Sequence, residues 1–106
     1  MCHSSKLEAA DGLARQIREI IDTDYADSQL NIAFVAKQLN LTPKYISRVF
    51  RTETGIGILE YIGRVRVEHA EQLIQAEHIT QEEAAERVGY ASLRSFQRAL
   101  KRQYDS

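Results

Sequence analysis

Residues 33–55 read AFVAKQLNLTPKYISRVFRTETG, and the fold turns on this stretch. Apolar side chains at Phe34, Val35, Leu39 and Leu41, then at Ile46, Val49 and Phe50, have the spacing of two short amphipathic helices sharing one core face. Between them Asn40 suits the left-handed backbone that ends a helix. Thr42 suits an N-cap, and Pro43 suits the first helical position, where its missing N–H costs nothing. Leu41 and Ile46 stand where a hydrophobic staple needs them. The second helix carries Lys44, Ser47, Arg48 and Arg51 on its outward side and meets no acid until Glu53.

A short helix, a capped turn and a basic, acid-free helix form the pattern of a helix-turn-helix, a unit suited to duplex DNA. Composition bounds that reading. At 106 residues, with 43% hydrophobic and 27% charged residues, the chain has the size and make-up of one soluble globular domain. No apolar run approaches the ~20 residues of a membrane span. The start, MCHSSKLEAADG, lacks the apolar segment of a secretion signal, so a cytoplasmic location is expected. The single cysteine, Cys2, excludes an internal disulfide.

A net charge of −1 argues weakly against nucleic acid, but its distribution argues the other way. Residues 1–29 hold three bases against six acids, so residues 30–106 carry the complementary +2. Residues 43–52 contain three bases and residues 92–104 contain four (Arg94, Arg98, Lys101, Arg102), with no acid in either segment. Half of the 14 basic residues therefore lie on two short segments, which can present positive faces on a nearly neutral molecule.

Outward from the central stretch, Ala10, Leu13, Ala14, Ile17, Ile20 and Ile21 repeat at helical spacing and predict an amphipathic helix over about 7–24. Its acidic end, Asp22, Asp24 and Asp27, reads as a solvated face. Asn31 is the expected N-cap of the next helix, with Leu30 and Val35 as its staple. After the 54–57 break (TGIG), Ile58, Tyr61, Ile62, Val65, His69, Leu73 and Ile74 predict one long helix ending near Ala76 or Glu77. About 20 residues at 1.5 Å each reach ~30 Å, close to the ~34 Å between successive major-groove faces on one side of DNA. Thr80-Gln81-Glu82-Glu83 is a capping-box pattern, Gly89 is expected to end that helix, and Ser92 to cap a last one bearing Phe96, Ala99 and Leu100 on one face.

The second half repeats the first. Ala36, Leu39 and Asn40 correspond to Ala85, Val88 and Gly89 at an offset of 49, and Ile46, Arg48, Phe50 and Arg51 correspond to Phe96, Arg98, Leu100 and Lys101 at an offset of 50. One extra residue in the second turn accounts for the change, and turns tolerate insertions.

Taken together, Tyr45-Ile46-Ser47-Arg48-Val49-Phe50, Glu53-Thr54-Gly55, Tyr61 with Arg66, Val88-Gly89-Tyr90 and Ser95-Phe96-Gln97-Arg98-Ala99 resemble the DNA-binding domain of AraC/XylS transcription regulators. The likeness covers residues 30–104. It implies an all-α fold of the seven-helix type, shortened at its end, with two homeodomain-like helix-turn-helix subdomains joined by a long connector helix. The division expected is a leading helix over 1–29, the first unit over 30–55, the connector over 56–78 and the second unit, truncated at its end, over 79–106. The resemblance implies that Lys44, Ser47 and Arg48 face bases in the first unit and Leu93, Arg94, Gln97 and Arg98 in the second. Arg51, Ser95 and Lys101 complete the candidate DNA-binding set.

The function expected is sequence-specific binding of double-stranded promoter DNA for bacterial transcription regulation, at two adjacent major-groove segments. The alternative is a helical protein-interaction module whose basic faces meet an acidic partner such as RNA polymerase. An upstream sensory or receiver region is expected in the full-length protein. The chain departs from the family pattern at Gln81 and Ala84, where a branched apolar pair is usual, at Leu100 for phenylalanine and at Asp105 for glycine. It stops before the family's closing segment, which suggests that Ser106 is a truncation point.

Several residues carry competing readings. Arg48 and Arg98 can pair bidentately with guanine or contact phosphate. Tyr45 and Tyr90 are expected to pack at the motif edges in preference to binding phosphate. Arg66 is expected to pair with a carboxylate, Glu53 or Glu60. Cys2, His3, His69 and His78 lack the spacing of a metal site, and no Gly-rich phosphate loop or nucleophile–base set is present. No cofactor and no enzymatic activity are therefore expected.

Overall fold

The structure, a computed structural model, describes the backbone of residues 5–105 and the side chains of residues 12–104; Cys2 and His3 lie outside them. Among the described residues there are six α-helices and no strand: α1 (Ser5–Asp24), α2 (Ile32–Leu39), α3 (Pro43–Thr54), α4 (Ile58–Glu77), α5 (Gln81–Arg87) and α6 (Leu93–Asp105).

The local chemistry of the two halves matches bond for bond. Asn31 Oδ1 accepts from Phe34 N at 2.7 Å, and 49 residues on Thr80 Oγ1 accepts from Glu83 N at 3.1 Å. At the turns Leu41 N donates to Ala36 O and Tyr90 N donates to Ala85 O, both at 2.9 Å. These bonds close the helix ends around Asn40 (φ 59°) and Gly89 (φ 102°), satisfying carbonyls that a helix C-terminus otherwise leaves open. Past the turn the offset becomes 50, as expected: Thr42 Oγ1 accepts from Tyr45 N and Ser92 Oγ from Ser95 N, each at 3.2 Å.

Two apolar clusters form the core. Ala14, Ile17 and Ile21 of α1 meet Val35, Ala36, Ile46 and Phe50 and the first half of α4, through Ile58, Ile62 and Val65. The second cluster is smaller and joins Val67 and Ala70 to Ala84, Ala85, Val88 and Phe96. The connector helix thus serves two cores from two sides, which a single stripe through Leu73 and Ile74 did not anticipate; Val67 and Ala70 are the residues that stripe omits. Helix α1 packs chiefly along α3, with lesser contacts to α2 and α4.

The acidic end of α1 has structural work beyond solvation. The Tyr61 hydroxyl donates to Asp22 Oδ1 at 2.9 Å, and Asp27 Oδ1 accepts from Gln29 N at 2.8 Å, ordering the loop after α1. Burial, and then the hydrogen bond to the Asp22 carboxylate, push the Tyr61 phenol up to about 12. A proton held more tightly in the folded state contributes stability that is complete below the unfolded tyrosine value of about 10 and disappears as pH rises through the folded value. The denaturation midpoint is therefore expected to fall between about pH 10 and about pH 12, and to fall less steeply for Tyr61→Phe. Identical pH profiles for the two proteins would contradict this assignment.

Candidate nucleic-acid interface

On α3, Lys44, Ser47, Arg48 and Arg51 lie at i, i+3, i+4 and i+7, which places them on one face, opposite the buried Ile46 and Phe50. On α6, Arg94, Gln97, Arg98 and Lys101 repeat that stripe at an offset of 50, opposite the buried Phe96. All are exposed except Ser47, which is partly buried. Leu93 is also partly buried. The Ser95 hydroxyl accepts from Ser92 Oγ at 3.2 Å, so it belongs as much to the cap of α6 as to its outer face.

Two arginines outside the stripes are held in ion pairs. Arg64 pairs with Glu60 at 3.8 Å and Arg87 with Glu77 at 2.7 Å. The stripe cations Lys44, Arg48, Arg51, Arg94, Arg98 and Lys101 have no ion pair among the described residues. An unpaired cation keeps its full field for an external anion.

Arg102 joins the set, although the sequence reading left it among the general charge of the last helix. It lines a groove of about 280 Å³ together with Ser47, Arg51, Gly57, Leu59 and Glu60. At Gly57 an added Cβ would lie 2.8 Å from Arg51 Nη2, so the absent side chain makes room for that guanidinium. The signal was present in sequence: Arg94, Arg98 and Arg102 recur every four residues. Glu82 and Glu86, by contrast, share a groove with Ser92 and Leu93, which places carboxylates beside the start of α6.

Two expectations change. Tyr45 is not packed: it is 42% exposed, with the Arg48 guanidinium 5.9 Å from its ring centroid. It sits one residue from Lys44 near the start of α3. Arg66 pairs with neither Glu53 nor Glu60. It is buried, and its Nε and Nη2 donate to the carbonyls of Tyr25 and Asp27, each at 2.8 Å. Glu60 is instead taken by Arg64, one turn along the same helix. Burial pulls the Arg66 guanidinium below its ordinary range, partly offset by Tyr90 and Asp27. Of the described histidines, His69 stacks on Tyr25 at 3.9 Å between ring centroids, and exposed His78 ends α4 at φ 55°. Tyr90 does pack, half-buried against Phe96.

Comparison with known proteins agrees with the paired-unit geometry. A family profile described as "Helix-turn-helix domain" matches residues 35–106. The chain belongs to the AraC/XylS-type helix-turn-helix family. It is 33% identical over 86 residues to the Msm operon regulatory protein of Streptococcus mutans, an alignment covering 81% of this chain and 31% of that one. The C-terminal domain of AraT, a response regulator from Geobacillus stearothermophilus, superposes with a TM-score of 0.83 at 32% identity, over 89% of this chain and 78% of that one. The C-terminal domain of the two-component response regulator yesN from Fusobacterium nucleatum gives 0.77 at 30% identity, over 85% and 93%. The chain spans about a third of the length of the curated relatives it matches. No described helix of this AraC/XylS-type chain is long and apolar enough to cross a membrane.

Proposed function

We propose that this chain binds double-stranded promoter DNA sequence-specifically and so regulates bacterial transcription, with α3 and α6 entering two adjacent major-groove segments. The observation that carries the proposal is the repeated stripe: two capped helices, related by a hydrogen-bonded repeat, each present a row of unpaired cations. In this reading residues 30–55 and 79–106 are the two units and residues 56–78 their spacer. Lys44, Ser47, Arg48, Gln97, Arg98, Arg94 and Leu93 approach base edges, while Arg51, Lys101 and Arg102 hold phosphates and Ser95 supports the cap of α6. The likeness to domains of two response regulators supports an upstream sensory or receiver region in the full-length protein. Contact with RNA polymerase is a second use open to exposed faces away from DNA. The role is that of a binding domain and involves no catalysis.

Salt separates DNA binding from a protein-interaction role. Affinity for a selected duplex is expected to fall log-linearly with salt, by a slope of about 0.9 per phosphate neutralised, and random-sequence duplex should compete poorly. Weak binding with no salt slope, or equal competition by random duplex, would contradict the proposal.

A further inference from the structure

Resting on the DNA-binding reading, we infer that Arg66 is a positioning residue that fixes the second reading helix relative to the first, and so sets which half-site spacing the protein accepts. Arg66 sits in α4 at the join between the two cores, between Val65 of one and Val67 of the other. Its side chain ties together pieces of both halves. The two 2.8 Å bonds hold the 25–27 segment of the α1–α2 loop, and the guanidinium lies 5.3 Å from the Tyr90 ring centroid in the second unit. Tyr25 packs against both clusters and stacks on His69 of α4. At Gly89 a Cβ would come within 2.9 Å of Tyr25 O and 3.1 Å of the Ala26 carbonyl, so the turn of the second unit rests directly on this loop.

The loop is therefore a wedge between the units, and one guanidinium holds it from beneath. Such an arrangement tolerates little displacement. One base pair added between half-sites carries the second about 3.4 Å along the duplex and about 35° around it, more than the whole length of either Arg66 hydrogen bond. A rigid join confines binding to one spacing, and a loosened join lets the second unit follow a displaced half-site. Lysine keeps the charge but lacks the planar fork that reaches two carbonyls at once, so Arg66→Lys loosens the wedge without removing its cation.

The test has two arms. In the free protein, Cys2→Ser with spin labels at Lys37→Cys on α2 and Glu83→Cys on α5, both exposed positions, reports the inter-unit distance distribution without DNA. We expect a narrow distribution that broadens when Arg66→Lys is added; an unchanged width overturns the inference whatever the fate of the DNA-binding reading. In the second arm, duplexes bearing two half-sites with zero, one or two extra base pairs are titrated at fixed salt. The parent protein should lose about tenfold or more in affinity per unfavourable spacing, and Arg66→Lys should flatten that penalty to about threefold or less, with affinity for a single half-site unchanged. A penalty equal to the parent's overturns the inference. Should Arg66→Lys fail to fold, Tyr90→Leu, which removes the ring over the guanidinium and keeps an apolar side chain, is read in both arms against the same outcomes.

Discussion

Phe96→Ala is expected to cost about 3–5 kcal/mol, a large part of the ~5–15 kcal/mol that holds a domain of this size together, and to open the second unit first. Phe96 is 1% exposed and is the largest fully buried side chain of the second cluster, whose other buried members are Val67, Val88 and three alanines, with Leu73, Ile74, Tyr90, Leu93 and Leu100 partly buried around them. Removing it leaves a cavity that the valines and alanines buried beside it are too short to fill. Helix α1 makes its main packing contact along α3, in the first unit. Amides of α5 and α6 should therefore lose most of their exchange protection in the variant while those of α1 and α3 keep theirs. Protection of α5 and α6 equal to the parent's would contradict this account of the core. The same asymmetry bears on recognition. A smaller core, with Glu82 and Glu86 beside the start of α6, makes the second unit the looser reader, so base changes in its half-site should cost less than changes facing Lys44 to Arg48.

Arg48→Ala is expected to weaken binding to the selected duplex by about 1–3 kcal/mol and to relax preference at one base position. Arg51→Ala, one turn nearer the groove shared with Arg102, should weaken all duplexes alike and reduce the salt slope by roughly 1. The difference follows from position. Arg48 is exposed in the middle of α3, its guanidinium 5.9 Å from the Tyr45 ring centroid, while the Arg51 guanidinium lies against Gly57, at the start of the spacer between units. Binding assays on a panel of single-base variants, at two salt concentrations, separate the two. Equal and sequence-independent losses for both variants would remove the assignment of Arg48 as a base reader.

Most of the fold was legible because local chemistry and apolar spacing agreed. Asn31, Thr42, Thr80 and Ser92 each announce a helix start by side-chain type, and each accepts the expected backbone N–H. Asn40 and Gly89 announce the turns for the same kind of reason, since both tolerate the positive φ that the closing hydrogen bonds require. The basic stripes were visible as charge at helical spacing without intervening acid.

What escaped were the long-range partners. Arg66 bonds to backbone carbonyls about 40 residues away, and a carbonyl has no side-chain identity for a sequence pattern to match; a carboxylate was the natural guess. The second face of α4 was hidden because Val67 and Ala70 fall outside the stripe set by Ile58, Ile62 and Val65, and only the presence of two cores explains why both faces are apolar. Tyrosine's usual preference for packing predicts a covered Tyr45, whereas the residue is 42% exposed, with its ring beside the Arg48 guanidinium.

Selection of bound duplexes from a random pool, followed by footprinting, tests the central claim most directly. The account predicts a recovered site with two conserved segments centred about 10 base pairs apart on one face of the duplex, both protected by the protein, with protection of the second lost in Phe96→Ala. A single short motif with no second protected segment, or no enrichment of any sequence, would contradict it.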